Sequence, residues 1–548
     1  MPQIRNVLFI MCDQLRADHL GCAGHPYLKT PHIDALARRG VRFANAFVNS
    51  NVCGPSRMSY YTGRYPSSHG ATWNRVPLGV DEVTLGEYLR GAGRRLVLAG
   101  KTHVMPDLDG MNRLRIAPAS ELGHLLARGG FEEIDRYDGH HPPGEESGYP
   151  GYLRSQGYVS ADPWTDFVIA AEGPNGELLS GWNMRNVHLP ARVKEAHSET
   201  AYMTDQALAF MRVEGDEPWA LHLSYVKPHW PYMAPAPYHA MYSFDQCLPA
   251  SRTRAERVDA HPVVAAYRQH EESRNFATDE CVRTVRPAYQ GLITQIDDHL
   301  GRLFDEMQKL GRMDDTLIVF TADHGDFLGD HWLGEKELFY DAVQRVPMIV
   351  VDPSRAADAT RGTVDARFVE SVDILPTILG AFHIEAPPHR IEGRALQPLL
   401  HALPPALPSA LPPVPLGEGG GEGRRPAADR TETPWRDAVF CELDWSFKQA
   451  RLALGMHVQQ CRAWCIRTTR WRYVYWLDQP EQLFDLEADP QEFVDLGREA
   501  AHAATREALR SRLFDWLARR KRRTTLSDER VEMGTAAHKR AGVFYGQW

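Results

Sequence analysis

Short apolar runs, too brief for helices of a globular protein, alternate along the chain with segments of helical periodicity, and that alternation leaves few architectures open. The first run is Asn6 to Cys12. Thr30-Pro31 then opens a helix as N-cap and first-turn proline, Gly40 closes it, and Val41 to Phe47 reads as the next strand. Further strands are expected at Arg95 to Ala99, Trp219 to Tyr225, Thr316 to Phe320 and Val346 to Val351. Helices are expected near Thr84 to Arg90, Ser198 to Val213 and Ala288 to Leu310. The expected fold is α/β, a large mixed, mostly parallel sheet flanked by helices.

Two stretches break the rhythm. Between about Met105 and Glu195 the pattern dissolves into Gly, Pro, Trp and Tyr, as in inserted loops that shape a pocket. From Pro404 to Pro434 the chain is dominated by Pro, Gly and charged residues, including Gly417-Glu-Gly-Gly-Gly-Glu-Gly423, and reads as a linker or surface loop. Beyond it, Ala438 to Leu443, Ala463 to Thr468 and Trp471 to Leu477 read as antiparallel strands and Glu499 to Arg522 as a helix, a smaller α+β domain. The expected organisation is a catalytic domain over 1–403 with inserted loops at 105–195, a linker at 404–434, a smaller domain at 435–523, and a tail at 524–548. The tail's Val543-Phe-Tyr-Gly-Gln-Trp548 has aromatics to bury, so a homo-oligomer, dimer or tetramer, is expected, with docking on the same chain as the alternative.

A chain of 548 residues with 43% hydrophobic and 24% charged residues can build a large core. Its net charge of −9 offers no general attraction to nucleic acid or anionic lipid, which points to a small-molecule partner. No apolar run approaches the roughly 18 residues that span a bilayer, and the first residues lack a signal peptide's apolar stretch. The eight cysteines follow no disulfide rhythm, and Cys461-x-x-x-Cys465 has no second pair or nearby histidine to complete a zinc site. A soluble protein of the reducing cytoplasm is expected. The basic run Arg519 to Arg523 ends an amphipathic helix and reads as solvated charge.

The decisive segment is Cys53-Gly-Pro55-Ser56-Arg57-Met-Ser-Tyr-Tyr-Thr62-Gly63-Arg64. Pro55 suits the first position of a helix, which puts residue 53 at a positive N-terminal end where backbone amides favour an anion. The segment resembles the signature of the sulfatase family in the alkaline phosphatase superfamily, Cys (or Ser)-x-Pro-x-Arg followed by Thr-Gly-Arg. Resemblance extends from about Asn6 to Leu496 and includes Arg467 to Val474 and Leu483 to Glu492 of the smaller domain. It implies an alkaline-phosphatase-like fold, and oxidation of Cys53 to formylglycine by a formylglycine-generating enzyme. A hydrated aldehyde carries two hydroxyls. One attacks sulfur to form a covalent sulfo-enzyme, and the other loses a proton to release it.

The resemblance also implies a divalent metal held by Asp13, Gln14, residue 53, Asp323 and His324. Asp13-Gln14 follows the first strand, and Asp323-His324 follows the strand Thr316 to Phe320. Many sulfatases have Asp-Asp and Asp-Asn at these pairs. Gln14 and His324 bring one fewer carboxylate and one imidazole, which makes Mn2+ a rival to Ca2+. Arg57 and Lys101 are implied to hold the formylglycine diol and His103 to take its proton, while His229 and Lys336 bind the ester and assist the leaving group.

Asp-Gln with Asp-His also resembles the phosphonate monoester hydrolase branch of the superfamily, and Asn74 matches a substrate-contacting asparagine there. Lys101 and His103 match the ordinary sulfatase pair. The leading expectation is therefore hydrolysis of a sulfate monoester. Hydrolysis of a phosphonate monoester or phosphodiester at the same site is the alternative, and a catalytically silent binding protein that keeps Cys53 as a thiol ranks third.

Overall fold

The computed structural model describes residues 4–139, 141–144, 147–403, 434–535 and 537–542. The central sheet has eight strands: β1 (Asn6–Asp13), β2 (Val41–Phe43), β3 (Leu96–Gly100), β4 (Glu132–Arg136), β5 (Ala220–Pro228), β6 (Thr316–Ala322), β7 (Met348–Val351) and β8 (Thr363–Asp365). Their order across the sheet is β8-β2-β7-β6-β1-β5-β3-β4. All neighbours pair in parallel except β7, which runs antiparallel to both β2 and β6. Strands β1, β5 and β6 are buried throughout. That is why they read as continuous apolar runs without alternation.

Helices Glu199–Glu214 and Asp279–Lys309 pack beside this sheet. The second begins well before the expected Ala288 and passes through Pro287. Thr278 caps it, its hydroxyl accepting from the Cys281 amide at 3.2 Å. Buried Val282 and Val285 anchor its first turns, so the proline forfeits a hydrogen bond without ending the helix. The expected strand Val41 to Phe47 divides: Val41–Phe43 joins the main sheet, whereas Ala46–Phe47 pairs with Val369–Glu370.

The stretch from 105 to 195 is not all loop. Glu132–Arg136 extends the main sheet as edge strand β4, with helices Leu108–Arg113 and Glu121–Ala127 before it. Glu-Glu-Ile-Asp-Arg lacks apolar alternation because an edge strand half open to solvent does not require it.

A second sheet is antiparallel, in the order β9 (Ala438–Asp444), β10 (Arg462–Thr468), β11 (Trp471–Trp476) and β12 (Gln482–Asp485). Helix Ala503–Ala518 covers it, and Trp516 stacks on Phe440 with ring centroids 4.4 Å apart. This sheet abuts the segment leading to Cys53: the Glu442 amide donates to the Asn49 carbonyl at 2.9 Å, and Val52 shares a buried cluster with Cys441 and Trp445. Nearly all of 404–434, and the aromatics of 543–548, lie outside the described residues. Among the described residues no helix is long and apolar enough to cross a membrane, and the eight cysteines are free.

Candidate active site

Four neighbouring parallel strands, β6, β1, β5 and β3, end on one edge of the sheet. Each delivers sequence-predicted residues there: Asp323 and His324 after β6, Asp13 and Gln14 at the end of β1, His229 after β5, and Lys101 with His103 after β3. The carboxyl ends of parallel strands are where α/β sheets place ligands, since chain reversals there leave side chains converging. The helix Cys53–Thr62 faces the same edge and is wholly buried. Cys53 is its first residue, so Pro55 takes the third helical position and not the expected first.

Cys53 Sγ lies 3.1 Å from Lys336 Nζ, 3.1 Å from His324 Nε2 and 4.0 Å from Asp13 Oδ1. His103 and His229 also act electrostatically on it. Burial opposes ionisation of this thiol, but Lys336, Lys101 and His324 outweigh it and hold its pKa well below the usual range. The surroundings of residue 53 are therefore built to stabilise an anion.

Arg57 cross-ties the strand ends. Its Nε donates to Asp323 Oδ2 at 2.8 Å, Nη1 donates to the Lys101 carbonyl at 2.9 Å and to Ser224 Oγ at 2.8 Å, and Nη2 lies 3.3 Å from Asp13 Oδ2. Lys101 Nζ also pairs with Asp13. Burial works against the charged Asp13, yet Lys101 leads the groups that keep its pKa well below the carboxylate range. Burial lowers the pKa of His229, with the Lys336 cation adding to the effect against the pull of Asp13. His229 Nδ1 donates to the Trp230 carbonyl at 2.6 Å, leaving Nε2 to accept from Lys336 Nζ at 3.2 Å.

Ligand atoms of Asp13, Cys53, Asp323 and His324 all lie within 4.8 Å of one another. Gln14 Nε2 donates to Asp326 Oδ2 at 2.5 Å, while Gln14 Oε1 is buried with no hydrogen-bond partner. A buried acceptor left unsatisfied beside clustered carboxylates needs an explanation, and a cation supplies one. Two carboxylates, an amide oxygen and an imidazole fit a divalent ion, and the mixed oxygen and nitrogen set accommodates Mn2+ as well as Ca2+.

Two residues outside the sequence motifs orient this set. Asp326 also accepts from Tyr232 OH at 2.7 Å and from the Leu328 amide at 2.9 Å, so it fixes the Gln14 amide. Asp138 Oδ1 accepts from the Thr102 and His103 amides, each at 3.1 Å, and shapes the turn in which His103 takes a φ of 57°. The Asp323-His-Gly-Asp326 spacing is a usable signal for Asp326; Asp138 sits in the aperiodic stretch and has none. Asn74 Oδ1 accepts from the Gly54 amide at 2.8 Å, so it stands beside residue 53. A Cβ at position 54 would meet that oxygen at 2.9 Å, which explains the glycine. Asp326→Ala is expected to weaken divalent-ion binding by about 10–100-fold, read by titration calorimetry on protein whose circular dichroism is unchanged.

The family described as Sulfatase matches residues 5–384. The chain belongs to the sulfatase family. Among similar sulfatase-superfamily proteins, the multifunctional alkaline phosphatase superfamily protein PehA of Trinickia caryophylli is 32% identical over 93% of this chain and 95% of its own length. The arylsulfatase of Clostridium perfringens is 27% identical, covering 90% of each chain. Among solved structures, the phosphonate monoester hydrolase of Silicibacter pomeroyi superposes with a TM-score of 0.79 at 29% identity, over 95% of this chain and 96% of that one. The sulfatase relatives and the phosphonate monoester hydrolase neighbours support ester hydrolysis as the activity, and the fold is alkaline-phosphatase-like.

Proposed function

We propose that this chain hydrolyses a sulfate monoester through a formylglycine nucleophile formed from Cys53, with a divalent ion held by Asp13, Gln14, Asp323, His324 and residue 53. The observation that carries the reading is the cationic surround of Cys53, with Lys336 and His324 each 3.1 Å from its sulfur. That sulfur stands where an oxygen of the hydrated aldehyde belongs. The hydrate supplies one hydroxyl to attack and a second whose deprotonation releases the product, which a thiol cannot do. A bound divalent ion would supply positive charge against the oxygens of the transferred group.

The chain's own residues divide the remaining work. Arg57 and Lys101 hold Asp13 ionised and in place, and Lys101 adds positive charge beside residue 53. His103, which acts electrostatically on residue 53, takes its proton in this reading. His229 is kept neutral by burial and accepts from Lys336, so Lys336 carries the proton nearest the departing oxygen, and His229 orients it. Charge developing on that oxygen is then met by a preorganised cation in a water-poor site.

The alternative, a phosphonate monoester or phosphodiester as substrate, is favoured by Gln14, His324 and Asn74 and by the named activity of the Silicibacter relative. The test is a panel of 4-nitrophenyl sulfate, a 4-nitrophenyl phosphonate monoester and bis(4-nitrophenyl) phosphate. The protein is first co-expressed with a formylglycine-generating enzyme and loaded with Ca2+ or Mn2+. Highest kcat/KM on the sulfate is expected. A large preference for either phosphorus ester assigns the chain to the alternative, and hydrolysis of none of them by fully modified protein overturns both.

A further inference from the structure

A cavity of about 500 Å3 opens beside the candidate site. Its wall includes Trp230, which follows His229 in the chain, and Glu335, which precedes Lys336, so the chain neighbours of both residues line it. Trp182 also lines it, its ring packed edge-on to Trp230 with centroids 5.2 Å apart, and is 45% exposed. The Trp230 indole N–H donates to Glu335, which fixes both groups.

The charged lining is three carboxylates, Glu271, Glu272 and Glu335, against one ammonium, Lys448. Lys448 is already paired, 2.9 Å from Glu337 and 3.8 Å from Glu272. Burial works against ionisation of Glu272, but His270 and Lys448 outweigh it and keep its pKa below the usual value. The neighbouring cavity, which shares Trp182 and Glu271, adds Arg185 and Glu280 and leaves the balance of sign unchanged. Aromatic faces with excess negative charge form the chemistry that recognises an organic cation, through the ring quadrupole and through Coulomb attraction.

We propose that this cavity receives a positively charged ammonium group on the alcohol part of the substrate, so that the enzyme prefers esters of cationic alcohols. The inference rests on the proposed hydrolysis for its link to turnover, but not for the binding itself. Two measurements separate them. The first compares kcat/KM for 4-(trimethylammoniomethyl)phenyl sulfate with that for its neutral isostere 4-neopentylphenyl sulfate, in the parent protein and in the Glu271→Gln/Glu272→Gln and Trp182→Ala variants. A preference for the cationic ester of about tenfold or more is expected, with each variant lowering the ratio of cationic to neutral turnover. The second titrates tetramethylammonium chloride into the same proteins by calorimetry, with tert-butanol as the neutral control. Saturable binding of the cation, weakened in both variants, is expected, and its absence overturns the inference whether or not either ester is hydrolysed. Absent hydrolysis with intact cation binding counts against the proposed reaction alone. Equal turnover of the two esters, or a cation preference that neither variant changes, overturns the inference.

Discussion

Cys53→Ala is expected to lower kcat/KM by at least about 10^4-fold, because it removes the thiol that maturation must oxidise to form the nucleophile. The side chain is fully buried and begins its helix, so alanine fits the same space, and circular dichroism checks that the variant folds. Loss of activity in a folded protein therefore isolates chemistry from structure. Mass spectrometry of the tryptic peptide containing residue 53 supplies the companion result. In protein matured by a formylglycine-generating enzyme, the peptide should weigh about 18 Da less than its thiol form. An unshifted mass in protein that nevertheless turns over ester would sink the assignment of the nucleophile. An unshifted mass without turnover would bring forward the catalytically silent reading.

Arg57→Ala should have the largest effect on stability. The guanidinium lies between two carboxylates with no exposure, Asp13 and Asp323, and also satisfies the Lys101 carbonyl and Ser224. Removing it leaves buried negative charge poorly compensated, a change that costs about 3–5 kcal/mol. Urea denaturation of metal-stripped protein is the measurement, and addition of Mn2+ or Ca2+ should restore part of the loss, since an ion at the cluster neutralises the same carboxylates. Arg57→Lys should fall between, because one ammonium cannot span acceptors arranged around a planar fork. The pH dependence follows from the depressed pKa of Asp13. Stability contributed by its ionised form is fully present above the unfolded carboxylate pKa of about 3.9 and is lost as pH falls toward the folded value. A variant as stable as the parent without metal would show that Lys101 alone carries Asp13.

Much of this was legible in the residues. The buried strands announced themselves as apolar runs because both faces of the sheet are covered. The Cys53 to Arg64 segment carried its family resemblance at fixed spacings, and the pairs Asp13-Gln14 and Asp323-His324 stood directly after strands. The helix passing through Pro287 did not show, since Arg286 beside the proline is anchored on Leu248, Leu328 and Asp330, far away in the chain, and not by local propensity. Strand β4 did not show either, because an edge needs a partner's hydrogen bonds more than an apolar pattern.

The chain by itself determined an α/β sheet, the family, and the set of residues to consider, because covalent spacing within a strand, turn or helix is short and its signals are local. Tertiary structure decided what those residues do to one another. Only the order of β6, β1, β5 and β3 brings Asp323, Asp13, His229 and Lys101 to one edge, across more than three hundred residues of chain. Only packing gives Asp326 to Gln14, Asp138 to the turn before His103, and carboxylates to the tryptophans beside His229 and Lys336. Electrostatic effects fall off with distance in space and rise with burial, and neither quantity can be read from separation along a sequence.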